Sequence, residues 1–388
     1  MENLFSHDQI DLATLRQRSF NYRWAEQPEG VIPLTAADMD FPIASIITQR
    51  VQEYLAKGYM NYAPSSGLEA FKEAVAQHYY FSKNVPVNPD YVLPVNAAAN
   101  GLYLAVKTYV KKGDKVLVPN PVDFLFKRSL QSVGAEVYEI KHIEGTANFD
   151  LNLLERAFER ISCFMICNPN NPLGKCISKE HLQEIAALAV KHRVKIIADE
   201  VWADIDFDNQ FLAIASINEA IRNQTIIVSG LSKNFGLAGF RIGYVIAFNE
   251  KDYQQLLGQS KHLDTINGVS SIAQIAGEAA LNEAQDWKTA FVNHLNSNRL
   301  LIEDRLKEFP FLTSNRPNST FTFFPAIDSG RFHEEKFCEL ALKEAKVALI
   351  PGGEQWFGSA SKSHIRFTYA TSQEMLNEAF DRLVKVFG

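Results

Sequence analysis

The feature that most constrains this chain is a set of short apolar runs separated by stretches of helical period. CFMIC (163–167), VKIIA (194–198) and TIIVS (225–229) are nearly free of polar side chains. A strand with one wet face alternates apolar and polar residues, whereas a continuous apolar run is a strand covered on both faces. Between the first two lies SKEHLQEIAALAVKHR (178–193), which opens on Ser178 as a helix cap and then shows helical spacing. KVLVP (115–119) and AEVYEI (135–140) read as further strands, and LYLAVKTYVKK (102–112) and DFLFKRSLQSV (123–133) as helices. This alternation predicts an α/β fold with a mostly parallel sheet between layers of helices.

From about residue 285 the pattern changes to one long helix, 286–309, followed by smaller strands and helices. The expected organisation is a large α/β domain over 48–284 and a smaller α+β domain formed by 1–47 and 285–388. In 388 residues, 46% are hydrophobic and 22% charged, which excludes disorder. Lys and Arg number 39 against 45 Asp and Glu, a net charge of −6 with no basic track, so nucleic acid is not an expected partner. Four cysteines with no CxxC pair give no zinc set, and no metal is expected. No apolar run approaches the roughly 20 residues of a membrane span. The opening MENLFSHDQI has no basic stretch leading into an apolar core, so no secretory leader and a cytoplasmic setting are expected.

Ligands of α/β sheets sit beyond the carboxyl ends of the strands. Lys233 follows the strand 225–229 by four residues, in SGLSKNFGLAGFRIGY. Desolvation and neighbouring cations lower an amine's pKa, and only the neutral amine attacks a carbonyl. Arg241 follows eight residues later between Gly239 and Gly243, a setting suited to a phosphate dianion. Asp199 and Glu200 directly follow 194–198; a buried carboxylate there requires a cationic or proton-donating partner, although an ordinary helix cap also places Asp there. Asn168 opens the rigid turn NPNNPLGK after 163–167. VNAAANG (95–101) leads into a helix whose first amides are left free for an anion. Arg366, in HIRFTYA, can grip a carboxylate through a bidentate pair. Each of these has an ordinary structural explanation when taken alone.

Their order along the chain resembles the fold-type I pyridoxal-phosphate enzymes of the class I and II aminotransferase family, from about Thr35 to Gly388. NPNNPLGK, ADEV and SKNFGLAGFRIGY carry the resemblance together. It implies a seven-stranded, mostly parallel sheet, pyridoxal 5'-phosphate as cofactor and an amino acid and an oxo acid as substrates. It also implies that Lys233 is the Schiff-base lysine and the base that moves the α-proton. Asp199 would keep the pyridine nitrogen protonated, and Asn168 would donate to the ring's phenolic oxygen. Arg241, Ser232 and the amides of Ala97, Ala98 and Ala99 would hold the phosphate. Arg366 would bind the α-carboxylate, with Asn168 and Ala37 beside the substrate. Tyr62 would reach the phosphate of a neighbouring subunit, which implies a homodimer with its active site at the subunit interface.

The chain also departs from the family pattern. Trp202 stands where the family usually has Tyr, and its indole can only donate. The ring-stacking aromatic is expected at Val122 or Asp123, which leaves Phe124 or Phe126 to serve, or no ring. Gly230 stands three residues before Lys233, where the family often has Ser. The expected reaction is transamination of a neutral or aromatic amino acid, since no second arginine is clearly placed for a dicarboxylic one. The alternative is a carbon–sulfur β-lyase of the cystathionine β-lyase type, which AADMDF (36–41) resembles. A non-catalytic regulator with this fold would normally need an appended DNA-binding domain, and no basic extension is present.

Overall fold

The computed structural model describes residues 4–314 and 316–388. After a two-residue strand β1 (Ile32–Pro33), the main sheet comprises β2 (Val92–Asn96), β3 (Lys115–Asn120), β4 (Glu136–Lys141), β5 (Cys163–Cys167), β6 (Lys195–Asp199), β7 (Thr225–Gly230) and β8 (Ile242–Ile246). These seven strands lie in the order β2-β8-β7-β6-β5-β3-β4. The pairs from β4 through β7 are parallel, whereas β8 is antiparallel to both β7 and β2.

Successive side chains of a strand point to opposite faces. In β5, Cys163, Met165 and Cys167 enter one apolar core with Leu102 and Val106 of the helix Ala97–Tyr109. Phe164 and Ile166 enter the opposite core with Leu182, Ile185 and Ala189 of the helix Lys179–His192. The double apolar lining read from the sequence therefore covers both faces of the sheet. Ser178 caps the second helix by accepting from the His181 amide at 3.3 Å. Arg193, at φ 56°, ends it in the left-handed region.

The remaining strands are β9 (Leu312–Thr313), β10 (Thr322–Phe323), β11 (Ala326–Ile327), β12 (Val347–Ala348), β13 (Ile350–Pro351) and β14 (Ile365–Thr368). β14 lies between β10 and β13 in an antiparallel sheet. β1 pairs with β12 in parallel, which ties the N-terminal segment to the C-terminal region. The long helix spans Gln285–Arg305, shorter than expected because Leu306–Glu308 tightens into a 3-10 turn.

A buried ion pair, Arg23–Asp40, holds the segment after β1. Trp24 Nε1 also donates to Asp40 Oδ1 at 2.7 Å, and Arg23 Nη1 to the Pro33 carbonyl at 2.7 Å. The Asp40 amide donates to the Ala370 carbonyl at 3.0 Å. These contacts fix residues 36–38 against the C-terminal end of the sheet.

Candidate active site

A cavity of about 320 Å³ opens at the carboxyl ends of β5, β6 and β7, beside the first turn of Ala97–Tyr109. Lys233, Asp199, Arg241, Ser232, Ala97, Ala98, Ala99, Phe124, Trp202, Ala37 and Arg366 all line it. The chain thus brings most of the expected residues together from positions more than 300 apart in sequence.

Lys233 is partly buried, and its Nζ donates to the Ala37 carbonyl. The amine also lies 5.5 Å from the centroid of the Trp202 ring. Burial pushes its pKa down and the Arg366 charge adds to this, while Asp38, Asp123 and Asp199 oppose. Asp199 ends β6, and its Oδ1 accepts from the Val201 amide at 3.0 Å. Burial pushes its carboxyl up to about 7; the Val201 amide and Lys233 oppose the shift, and the Asp123 charge adds to it. A carboxyl so perturbed fits a cationic ring N–H well, because such a partner restores the ionised form.

At the other side of the cavity, the Ala97 amide donates to the Arg241 carbonyl at 2.8 Å, which clasps the helix start to the turn before β8. Gly243 makes this possible, because a Cβ there would lie 2.6 Å from the Ala98 nitrogen. The result is a helix N-terminus flanked by Ser232 and an exposed arginine, a donor set matched to a phosphate dianion.

Arg366 projects from β14 and is 7% exposed. Its Nη2 donates to the Thr35 carbonyl at 3.0 Å and its Nη1 to Asn171 Oδ1 at 3.2 Å. Burial pushes the guanidinium down to about 10. Its Nε is buried without a partner, as is Nε1 of Trp356, another residue of the lining. Buried donors without a partner are costly unless a ligand or water accepts from them. An amine, a carboxyl end, an anion cradle and an unfilled guanidinium around one cavity fit pyridoxal phosphate together with an amino acid.

Two expected residues lie elsewhere. Asn168 does not line the cavity. Its amide is still paired to β6, donating to the Asp199 carbonyl at 3.0 Å. Its side chain therefore falls toward the opposite core, where Oδ1 accepts from the Ile177 amide at 2.9 Å and Nδ2 donates to Leu212 O at 3.2 Å. The asparagine that reaches the cavity is Asn171, in the second Asn-Pro pair of the same turn. The sequence signal was the repeat itself: the first pair still continues the strand, and only the second is carried by the turn into the cavity. Tyr62 is 90% exposed and lies outside the cavity of the single chain. Asp38 and Trp356 line the cavity without having been expected there. Of the two candidate ring stackers, both Phe124 and Phe126 are in the lining, and so is the non-aromatic Asp123.

Among the described residues, no group of acidic, His or Cys side chains could hold a metal ion. No helix among them is long and apolar enough to cross a membrane.

An aspartate aminotransferase of Pyrococcus horikoshii is 31% identical over 93% of this chain and 92% of that protein. The solved aromatic aminotransferase of the same organism superposes with a TM-score of 0.84 at 28% identity, covering 97% of this chain and 98% of that one. Cystalysin of Treponema denticola, which contains pyridoxal 5'-phosphate, superposes with a TM-score of 0.90 over 100% of this chain and 99% of that one, but at 20% identity it shares the fold alone. The family model for aminotransferase class I and II matches residues 29–383. With that match and the cavity just described, the chain belongs to the class I and II aminotransferases, enzymes that use pyridoxal 5'-phosphate to move an amino group between an amino acid and an oxo acid.

Proposed function

We propose that this enzyme transaminates a neutral or aromatic L-amino acid at the cavity around Lys233. The observation that carries the reading is the environment of the lysine: an amine depressed by burial, in one cavity with Asp199 and Arg366. Bound there, pyridoxal phosphate supplies an electron sink for the bond broken at the substrate's α-carbon. Lys233 Nζ would hold the cofactor through its carbonyl carbon; displaced from it by the substrate's amine, the freed amine would carry the α-proton from the substrate to that carbon. Asp199 holds the ring nitrogen's proton. Ser232, Arg241 and the amides of Ala98 and Ala99 would bind the phosphate; the Ala97 amide, first expected among them, is instead taken by the Arg241 carbonyl. Arg366 grips the α-carboxylate with two nitrogens, and Asn171 takes the place first expected for Asn168. Trp202 offers an indole N–H and Phe124 a ring edge to the cofactor, and Ala37 borders the substrate.

The same reading includes a homodimer. Tyr62 stands with exposed Tyr59 and Met60, at 76% and 49%, on a segment free to meet a second copy. Size-exclusion chromatography with light scattering should give a dimer; a stable, active monomer would overturn this. A cytoplasmic location is part of the reading. So is the division into a large domain and a small one of both termini. The proposed division stays at 48–284 against 1–47 and 285–388; the helix Ser45–Ala56, which crosses the first boundary, packs on Ser271–Glu283.

The second reading, a carbon–sulfur β-lyase, is supported by the segment 36–41, whose Ala37 and Asp38 enter the cavity. One experiment separates the two. The absorbance of the cofactor-loaded protein is followed with a panel of amino acids and, separately, with L-cystathionine. Conversion to the pyridoxamine form by an amino acid, reversed by an oxo acid, establishes transamination. Release of pyruvate and a thiol from cystathionine, with the starting spectrum restored, establishes the lyase.

A further inference from the structure

Three cations line the cavity, Lys233, Arg241 and Arg366, and three carboxylates, Asp38, Asp123 and Asp199. In the reading above, Arg241 meets the phosphate, Arg366 the α-carboxylate, Lys233 the cofactor's carbonyl carbon and Asp199 the ring nitrogen. No cation of the lining is then left for a second carboxylate on the substrate, and Asp38 and Asp123 have no role assigned in that reading.

Asp123 is the better fixed of the two. Its Oδ1 accepts from the Leu125 amide at 3.0 Å, and its Oδ2 from Asn171 Nδ2 at 3.0 Å. Asn171 Oδ1 in turn accepts from Arg366 Nη1 at 3.2 Å. A carboxylate can only accept and a guanidinium can only donate, so the amide between them has one permitted orientation. The neighbouring Val122 amide donates to the Phe357 carbonyl at 3.0 Å, and the Phe357 ring lies 5.1 Å from the Arg366 guanidinium carbon. Asp123 therefore stands in a braced loop. Burial pushes the Asp123 carboxyl up; the Leu125 amide and the Arg366, Lys233 and Arg128 charges oppose the shift.

We infer that Asp123 is a positioning and specificity-determining residue: it orients Asn171 and through it Arg366, and its charge turns away amino acids that carry a second carboxylate. The inference rests on Arg366 being the α-carboxylate grip. A like charge in a water-poor pocket disfavours a ligand in the way that an unpaired charge does, so discrimination comes from repulsion rather than from any new contact.

The test compares the holoenzyme with Asp123→Asn and Asp123→Ala. Asn removes the charge and keeps an oxygen for Asn171; Ala removes both. The wild type should prefer L-methionine to L-aspartate in kcat/KM, and Asp123→Asn should narrow that preference by about tenfold, the scale of one pocket interaction. Asp123→Ala should raise KM for methionine about tenfold with kcat little changed, and Asn at that position should restore it. Calorimetric titration gives a readout independent of turnover. Succinate should bind Asp123→Asn about tenfold tighter than wild type, while butyrate binds both alike. A wild type that prefers aspartate, or an Asn variant with unchanged preference and unchanged succinate affinity, overturns the inference. If the wild type turns over no amino acid, the reading of the site fails instead, and the succinate titration still decides on Asp123.

Discussion

Asn171 Oδ1 accepts a hydrogen bond from Arg366 Nη1 at 3.2 Å, joining the turn after β5 to β14 across 195 residues of sequence. Asn168, three residues earlier in the same turn, instead ties the Ile177 amide to the Leu212 carbonyl. On the proposed reading of the site the two asparagines divide function from stability, and substitution should separate them. Asn168→Ala leaves a buried donor and acceptor unpaired and should cost about 1–3 kcal/mol of stability, with kcat in the surviving enzyme close to normal. Asn171→Ala frees Arg366 and should lower kcat/KM by about ten- to a hundredfold, with a smaller change in denaturation midpoint. Urea titration and steady-state kinetics on both variants check this, and the reverse pattern would refute the assignment.

Lys233 combines a depressed pKa with a carbonyl partner from a distant segment, Ala37. Lys233→Ala should fold normally, bind pyridoxal phosphate weakly, and lack the absorbance band of the covalently held cofactor. Turnover should fall by at least about a thousandfold, within the range general bases contribute. Asp199→Ala should keep the band and lose turnover by orders of magnitude, because an unprotonated pyridine is a poor electron sink. Full turnover in either variant would remove that residue from the mechanism.

Much of this was legible in the sequence because β5, β6 and β7 are buried on both faces and so carry an unbroken apolar signal. The helix Lys179–His192 came within one residue, since Ser178 is a strong cap. β2 and β8 were not legible. VLPVN carries Pro94, which donates no hydrogen bond, and the strand is tolerated because it lies at the edge of the sheet. Lys233, Asp199, Arg241 and Arg366 were singled out from residue type and spacing, and the fold brings all four to one cavity. Asn168 was expected at the cavity and Asn171 lines it, because a motif fixes which residues are present, but not where the strand stops and the turn begins. That depends on the pairing of the Asn168 amide with β6, a contact no local pattern encodes.

Glu200, next to Asp199, is 2% exposed, and its Oε2 accepts from the Tyr79 hydroxyl at 3.1 Å. Burial pushes its carboxyl up to about 8 from an ordinary 4.5; Lys83 and Tyr79 oppose the shift, and Asp199 and Asp204 add to it. The folded state therefore holds a proton that the unfolded chain releases. Its contribution to stability is complete below the ordinary carboxylate range and is lost as pH rises through about 8. The cofactor-free protein should melt at progressively lower temperature as pH is raised across that window. Glu200→Gln keeps an oxygen for Tyr79 and cannot ionise, so part of the decline should vanish. Equal slopes for variant and wild type would show that Glu200 does not titrate there.

Gly243 offers the sharpest test of the anion cradle. A Cβ at this position would lie 2.6 Å from the Ala98 nitrogen, 2.7 Å from the Ala97 carbonyl carbon and 3.0 Å from the Ser229 oxygen. All three are backbone atoms, so no side chain can swing aside. Gly243→Ala must push the helix start away from β8, and with it the amides that would face the phosphate. The β7–β8 pairing of Gly230 with Gly243 supports the strand from the other side, so the sheet should persist. Affinity for pyridoxal phosphate should fall by at least about tenfold, the scale of losing one or two charge-assisted hydrogen bonds. Inorganic phosphate, titrated into the cofactor-free protein, should weaken in parallel, because the amides and not the ring are displaced. Circular dichroism should show a folded chain. If cofactor and phosphate affinities both survive intact, the helix start is not the phosphate's support, and Arg241 with Ser232 must carry it alone.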